Sequence, residues 1–327
     1  MKVPGVLFLF VLAEFAFTAE QELLTYEKTI PLPEVKGRID HFAIDRQGQQ
    51  LFIAALGNDT VEILDLKSGQ RVRSITGCHK PQGVLFLQDS KRICVANGGE
   101  GTVQFHDAAS GTLVKKLDGM DDADNVRFDE KRKTICVGYG GGALALISAE
   151  SLQKTGNIKL AGHPESFQLE QDGPRIFVNV PEAGHVAVVD RVKQAVIATW
   201  PLHEFKANFP MALDEKHQRL FIGCRNPARF VVLDTNDGHV VTNVAISGDT
   251  DDLFYDAARS SIYLSGGEGF LDIIGQSGAD VYQARTRIAT SSGARTCFFN
   301  AASSELFLAA PTRGNKGAEV RVYHATP

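Results

Sequence analysis

The chain has 327 residues, is 43% hydrophobic and carries a formal net charge of -5, with an isoelectric point of about 6.0. No run of Lys and Arg is long enough to track a phosphate backbone, so nucleic acid is set aside as the general partner. Length alone would suggest roughly two domains, but a repeat array overrides that expectation.

The chain opens with Lys2, an apolar run from Val3 to Ala13, and small residues at Ala13, Ala16 and Ala19. This pattern is read as a signal peptide over residues 1–19, with export to the periplasm or beyond. Glu14 and Phe17 depart from the pattern, and the competing reading is an uncleaved hydrophobic tail. The run is too short to span a bilayer, and no span is expected in the mature chain, 20–327, which is read as one domain.

Next comes a strand-like segment, Leu23 to Ile30, and then the first of a series of similar units. The second strand of each unit is the easiest to follow: Leu51-Phe52-Ile53-Ala54, Ile93-Cys94-Val95-Ala96, Ile135-Cys136-Val137-Gly138, Ile176-Phe177-Val178-Asn179, Leu220-Phe221-Ile222-Gly223, Ile262-Tyr263-Leu264-Ser265 and Leu306-Phe307-Leu308-Ala309. Their starts are 42, 42, 41, 44, 42 and 44 residues apart. A period of about 40–45 residues with four short strands marks a propeller blade. A third strand follows in each unit, often closed by Asp (Asp65, Asp107, Asp190, Asp234) before a polar turn, where a carboxylate accepts local N–H groups. A more polar fourth strand ends the unit, as expected where one side meets water. The seventh unit runs out before its fourth strand, and Leu23 to Ile30 is the segment left over. The sequence therefore predicts an all-β, seven-bladed β-propeller of four-stranded blades, closed by an N-terminal strand that completes the last blade.

The five cysteines (Cys78, Cys94, Cys136, Cys224, Cys297) form no close C-x-x-C pair. A zinc knuckle, a redox motif and a disulfide scaffold are thereby set aside, and Cys94 and Cys136 are read as small buried hydrophobes.

The run Ile93-Cys94-Val95-Ala96-Asn97-Gly98-Gly99, with Gly101-Thr102-Val103, resembles the YVTN-type bacterial propeller repeat. The array as a whole resembles the YncE-like branch of seven-bladed propellers, although no unit carries the literal YVTN string. The resemblance covers essentially all of the chain after the leader. It implies a propeller fold and agrees with export. DNA binding is ascribed to part of that family, and the acidic balance here argues against it.

In a propeller the innermost strands line a central channel, and the loops entering them open on one face. Aligned on the second strands, the entry positions are Asp40, Gln82, Asp124, Glu165, Phe209, Asp251 and Arg295. The next positions are His41, Gly83, Asn125, Ser166, Pro210, Asp252 and Thr296. Two places before the entry column stand Arg38, Lys80, Asp122, His163, Ala207, Asp249 and Gly293. The strands keep one apolar pattern while these columns diverge, which is what a binding site requires. The bland alternative is solvated turn chemistry. Gln82, Asn125, Asn208, Arg225, Asp252 and Arg38 are candidate ligand contacts. Four carboxylates in one ring need an offset, from water, arginines, a basic ligand or a divalent cation, and Asp124 and Asp251 are the candidate cation ligands.

Two functions fit. The first is an exported propeller that binds a small molecule, peptide or protein partner at the polar mouth of its channel, with a monomer as the expected state. The second is a lyase or lactone-type hydrolase. There His41 or His163 would act as base, Asp40 or Glu165 would orient it, and Arg295 would stabilise an oxyanion.

Overall fold

The computed structural model describes residues 22–45 and 49–326; the expected leader over 1–19 lies outside them. The described residues form seven four-stranded antiparallel sheets. Blade 1 runs from Phe42–Ile44 through Gln50–Ala55 and Thr60–Asp65 to Gln70–Thr76. Each first strand touches those of both neighbouring blades, and the last, Cys297–Asn300, meets Phe42–Ile44, so the array is a shut circle. Among the described residues no helix is long and apolar enough to cross a membrane.

Blade 7 takes three strands from the end of the chain and its fourth, Leu24–Leu32, from the beginning. That strand pairs antiparallel with Ala318–Ala325, from Leu24 opposite Ala325 to Leu32 opposite Ala318. It runs two residues past Ile30, through Pro31. A proline is tolerated there because a fourth strand is a sheet edge, where one row of N–H groups has no ladder partner to lose.

The second strands read as unbroken apolar runs for a structural reason. Both faces of each blade are buried against neighbours. In blade 1, Leu51, Ile53 and Ala55 pack toward blade 7, whereas Phe52 and Ala54 pack toward blade 2. The core is therefore divided into clusters that each bridge two adjacent blades. All five cysteines are buried and unpaired within this packing. The closing Asp residues do serve the turns: the carboxylate of Asp65 accepts from Ser68 N–H at 2.6 Å and that of Asp107 from Ser110 N–H at 2.8 Å. These bonds favour the ionised form and hold both carboxyls below their usual range.

Candidate binding site at the channel mouth

The entry residues are placed by one repeated backbone pairing. Asp40 N–H donates to Ala54 O at 2.7 Å, and Ala54 N–H donates back to His41 O at 3.0 Å. Asp124 with Gly138 and Glu165 with Asn179 repeat the pattern in blades 3 and 4, at 2.9 and 3.0 Å. The entry loop is thus stitched to the end of the second strand, and equivalent residues arrive at equivalent points around the ring. Two places earlier, Lys80, Asp122, Ala207 and Asp249 all have positive φ, between 47° and 58°. The loops turn tightly there. Blades 2 and 3 also approach closely: a Cβ on Gly83 would lie 2.1 Å from Asp124 O, so a larger residue at Gly83 would displace the loop that carries Asp124.

The loops enclose a cup of about 580 Å³ whose wall includes Arg38, Gln82, Asp124, His163, Glu165, Arg225 and Asp251. A second hollow of about 540 Å³ follows the first strands, from His41 and Asp252 at their starts to Ile44, Phe86 and Tyr255 further along. The cup is polar. The hollow mixes Leu85, Phe254 and Phe298 with Arg127, Gln168 and Glu130 in its wall.

Charges from different blades pair across the cup. Arg38 Nη2 lies 3.1 Å from Asp251 Oδ2 and 3.2 Å from Asp40 Oδ2. Arg225 donates to the other Asp251 oxygen, and its Nε donates to Thr250 O at 2.8 Å. Its guanidinium lies over the Phe209 ring, 3.6 Å from the centroid, a cation–π contact. His41 Nδ1 is 3.2 Å from Asp252 Oδ1, and its Nε2 is 3.9 Å from Asp40 and 4.0 Å from Asp124. His163 Nδ1 donates to Gly140 O at 2.8 Å. Its Nε2 is 3.9 Å from Asp124 Oδ2.

Burial sets the protonation states. It pushes the Asp40 carboxyl up to about 7, against the pull of His41 and Arg38. Glu165 is pushed up to about 8 by burial and by the Asp124 and Asp251 carboxylates. For His41, burial acts to lower the pKa, but Asp252 and Asp40 outweigh it and hold the imidazole up at about 10. The Asp124 carboxylate raises His163 to about 9. Near neutral pH His41 is therefore an imidazolium and Glu165 keeps its proton.

All these groups bind protons more tightly folded than unfolded. Their stabilisation is fully present below the unfolded values and is lost as pH rises through the folded ones. Thermal stability should therefore fall from pH 6 to pH 10, and His41→Gln should flatten the alkaline part of that fall. A midpoint that rises over this range in a differential scanning fluorimetry series would contradict the assignment.

The other expected residues have varied surroundings. Arg295 is held by Asp249, with Nη2 2.7 Å from its carboxylate, and is not in the cup wall. The Asn208 amide is buried between Asn179 Oδ1 (2.8 Å) and His185 O (3.2 Å), so it ties blade 5 to blade 4. Asn125 is buried and its Oδ1 has no hydrogen-bond partner among the described residues. Gln82 is in the wall, and its amide donates to Asp122 Oδ1 at 3.2 Å. Asp251 faces two guanidiniums, whereas Asp124 is grouped with His163 and Glu165, their ligand atoms within 4.8 Å of one another. Arg127, not expected, projects from the first strand of blade 3, and its Nη2 donates to Ser166 Oγ at 3.1 Å. Its signal was in the sequence: the matching first-strand positions are Ala43, Leu85, Gln168, Ala212, Phe254 and Phe298, so a charge stands out.

The molecule is thus a seven-bladed β-propeller with a mixed-charge cup among the loops that enter its first strands. No family model and no characterised sequence matches the chain. Solved structures do match. A chain of the Mitotic Checkpoint Complex superposes with a TM-score of 0.79 at 15% identity, covering 99% of both chains. The RRP9 WD40 repeats give 0.79 at 8% identity, over 91% of this chain and 97% of that one. A chain of Kuenenia stuttgartiensis hydrazine synthase gives 0.75 at 15% identity, over 84% and 94%. At such identities the likeness is one of fold.

Proposed function

We propose that this protein is an exported binding propeller, related to the YVTN-repeat, YncE-like group, that works as a monomer in the periplasm or outside the cell. Its cup takes a small zwitterionic or peptide-like ligand. The observation that carries this reading is the division of charge around one cavity: Asp121, Asp122, Asp124 and Glu182 on blades 3 and 4, against Arg38 and Arg225 on blades 1 and 5, which share the single Asp251 carboxylate. A ligand with a cationic and an anionic group would meet both, and desolvated charged groups discriminate strongly between partners. The recurrence of propellers in assemblies such as the Mitotic Checkpoint Complex makes a peptide segment of a protein partner one form of that ligand.

A thermal-shift screen of amino acids and short peptides tests the reading. Compounds bearing both charges should raise the midpoint of the wild type and leave Arg225→Ala or Asp124→Asn unmoved. If both variants respond like the wild type, the cup is not the site.

A second reading, a lyase or lactone-type hydrolase, draws on Glu165. A carboxyl that keeps its proton near neutral pH is suited to act as a general acid. The protonated state of His41 weighs against its use as the base.

A further inference from the structure

We infer that Asp124, His163 and Glu165 form a mononuclear site for a divalent first-row transition ion, Zn²⁺ or Mn²⁺; the inference rests on the cup being a binding site and names one of its occupants. Three observations carry it. The donor atoms lie within 4.8 Å of one another. His163 donates Nδ1–H to Gly140 O at 2.8 Å, which leaves Nε2 as the nitrogen that can exchange its proton for a metal ion. This is how a metal-bound imidazole is oriented by its backbone partner. Nε2 stands 3.9 Å from Asp124 Oδ2. That is too long for a hydrogen bond and about half an ångström wider than neighbouring ligands of one tetrahedral ion, so the two side chains would draw together on binding.

The third observation concerns the carboxylates. Asp124 is 8% exposed. It is flanked by the His41 and His163 imidazoles at 4.0 and 3.9 Å, and Glu165 completes the group. Asp251, by contrast, is neutralised by Arg38 and Arg225. Metal ligands bind deprotonated, so a cation here would take the place of the protons on Glu165 and His163 and bind more tightly as pH rises. One nitrogen with two oxygens favours a transition ion over Ca²⁺ or Mg²⁺, which take all-oxygen shells. Three protein ligands leave coordination positions open toward the cup, where a bound ligand's carboxylate would reach the ion.

Equilibrium dialysis of the full chain against Zn²⁺ and Mn²⁺, read by elemental analysis and calorimetry, tests the site. The wild type should bind one equivalent. His163→Gln should weaken it by more than about 100-fold, since loss of even an outer-shell partner costs about 10–100-fold. Asp251→Asn should leave it nearly intact. In the Mn²⁺-loaded wild type, pulsed electron paramagnetic resonance should detect an imidazole nitrogen, a readout that needs no variant. No saturable binding, no nitrogen coupling, or equal losses in His163→Gln and Asp251→Asn would overturn the inference. Repeating the compound screen in EDTA separates the two ideas. Zwitterions that still stabilise a protein without metal affinity remove the ion and keep the cup as a binding site; loss of both removes both.

Discussion

A chain that starts at Pro33 is expected to lose its cooperative unfolding transition. Deleting residues 22–32 removes Ile30 and Leu32, both 0% exposed, and Leu24, 4% exposed. At about 1.5–3 kcal/mol per fully buried aliphatic side chain, the loss is of order 5–9 kcal/mol. A whole domain is stable by only about 5–15 kcal/mol. The deletion also strips the ladder from Ala318–Ala325, leaving an open edge that invites aggregation. The milder Ile30→Ala should cost about 2–5 kcal/mol. Urea titrations followed by circular dichroism give the answer: a truncated chain that unfolds at the wild-type midpoint would mean that this strand does not shut the circle.

Asp251→Ala should be the most damaging single change in the cup. Its carboxylate accepts from Arg38 on blade 1 and Arg225 on blade 5. Breaking a fully buried pair costs about 3–5 kcal/mol. Here the Arg38 side chain is 42% exposed, and water screens part of the loss, so about 2–3 kcal/mol is expected. Arg38→Gln added to Asp251→Ala should cost less than it does in the wild type, because one of its two carboxylate partners is already gone while Asp40 remains. The interaction energy from a double-mutant cycle in urea measures the coupling. Strict additivity would mean that the contact contributes nothing.

The fold was legible because blade-to-blade burial leaves its mark on single strands. Runs such as Leu51 to Ala55 are apolar without alternation, and they return at a near-constant interval. The closure was legible because the last unit lacked a strand and the first segment had no unit. Pro31 and Leu32 escaped notice because proline reads as a strand end, and only an edge position excuses it.

The cup was legible in part. Once the second strands are aligned, the backbone stitching places Asp40, Asp124 and Glu165 in one column, so their convergence follows. Which side chains then pair is not written locally. Arg38 meets Asp251 across 213 residues of sequence, and that choice depends on the lean of two loops on different blades. The same holds for Arg295, which turns to Asp249, and for the grouping of Asp124 with His163 and Glu165 while Asp251 faces arginines. For Asn208, a polar residue at an entry loop looks alike whether it faces the axis or, as here, donates to Asn179 and His185 of the neighbouring blade.

The central claim is that dissimilar residues from separate blades make one binding site at this mouth. A crystal structure with the compound giving the largest thermal shift tests it most directly. The account predicts density inside the cup, touching Arg38 or Arg225 on one side and Asp124 or Glu165 on the other. Density on the outer strands or in the hollow along the first strands, with only solvent in the cup, would contradict it.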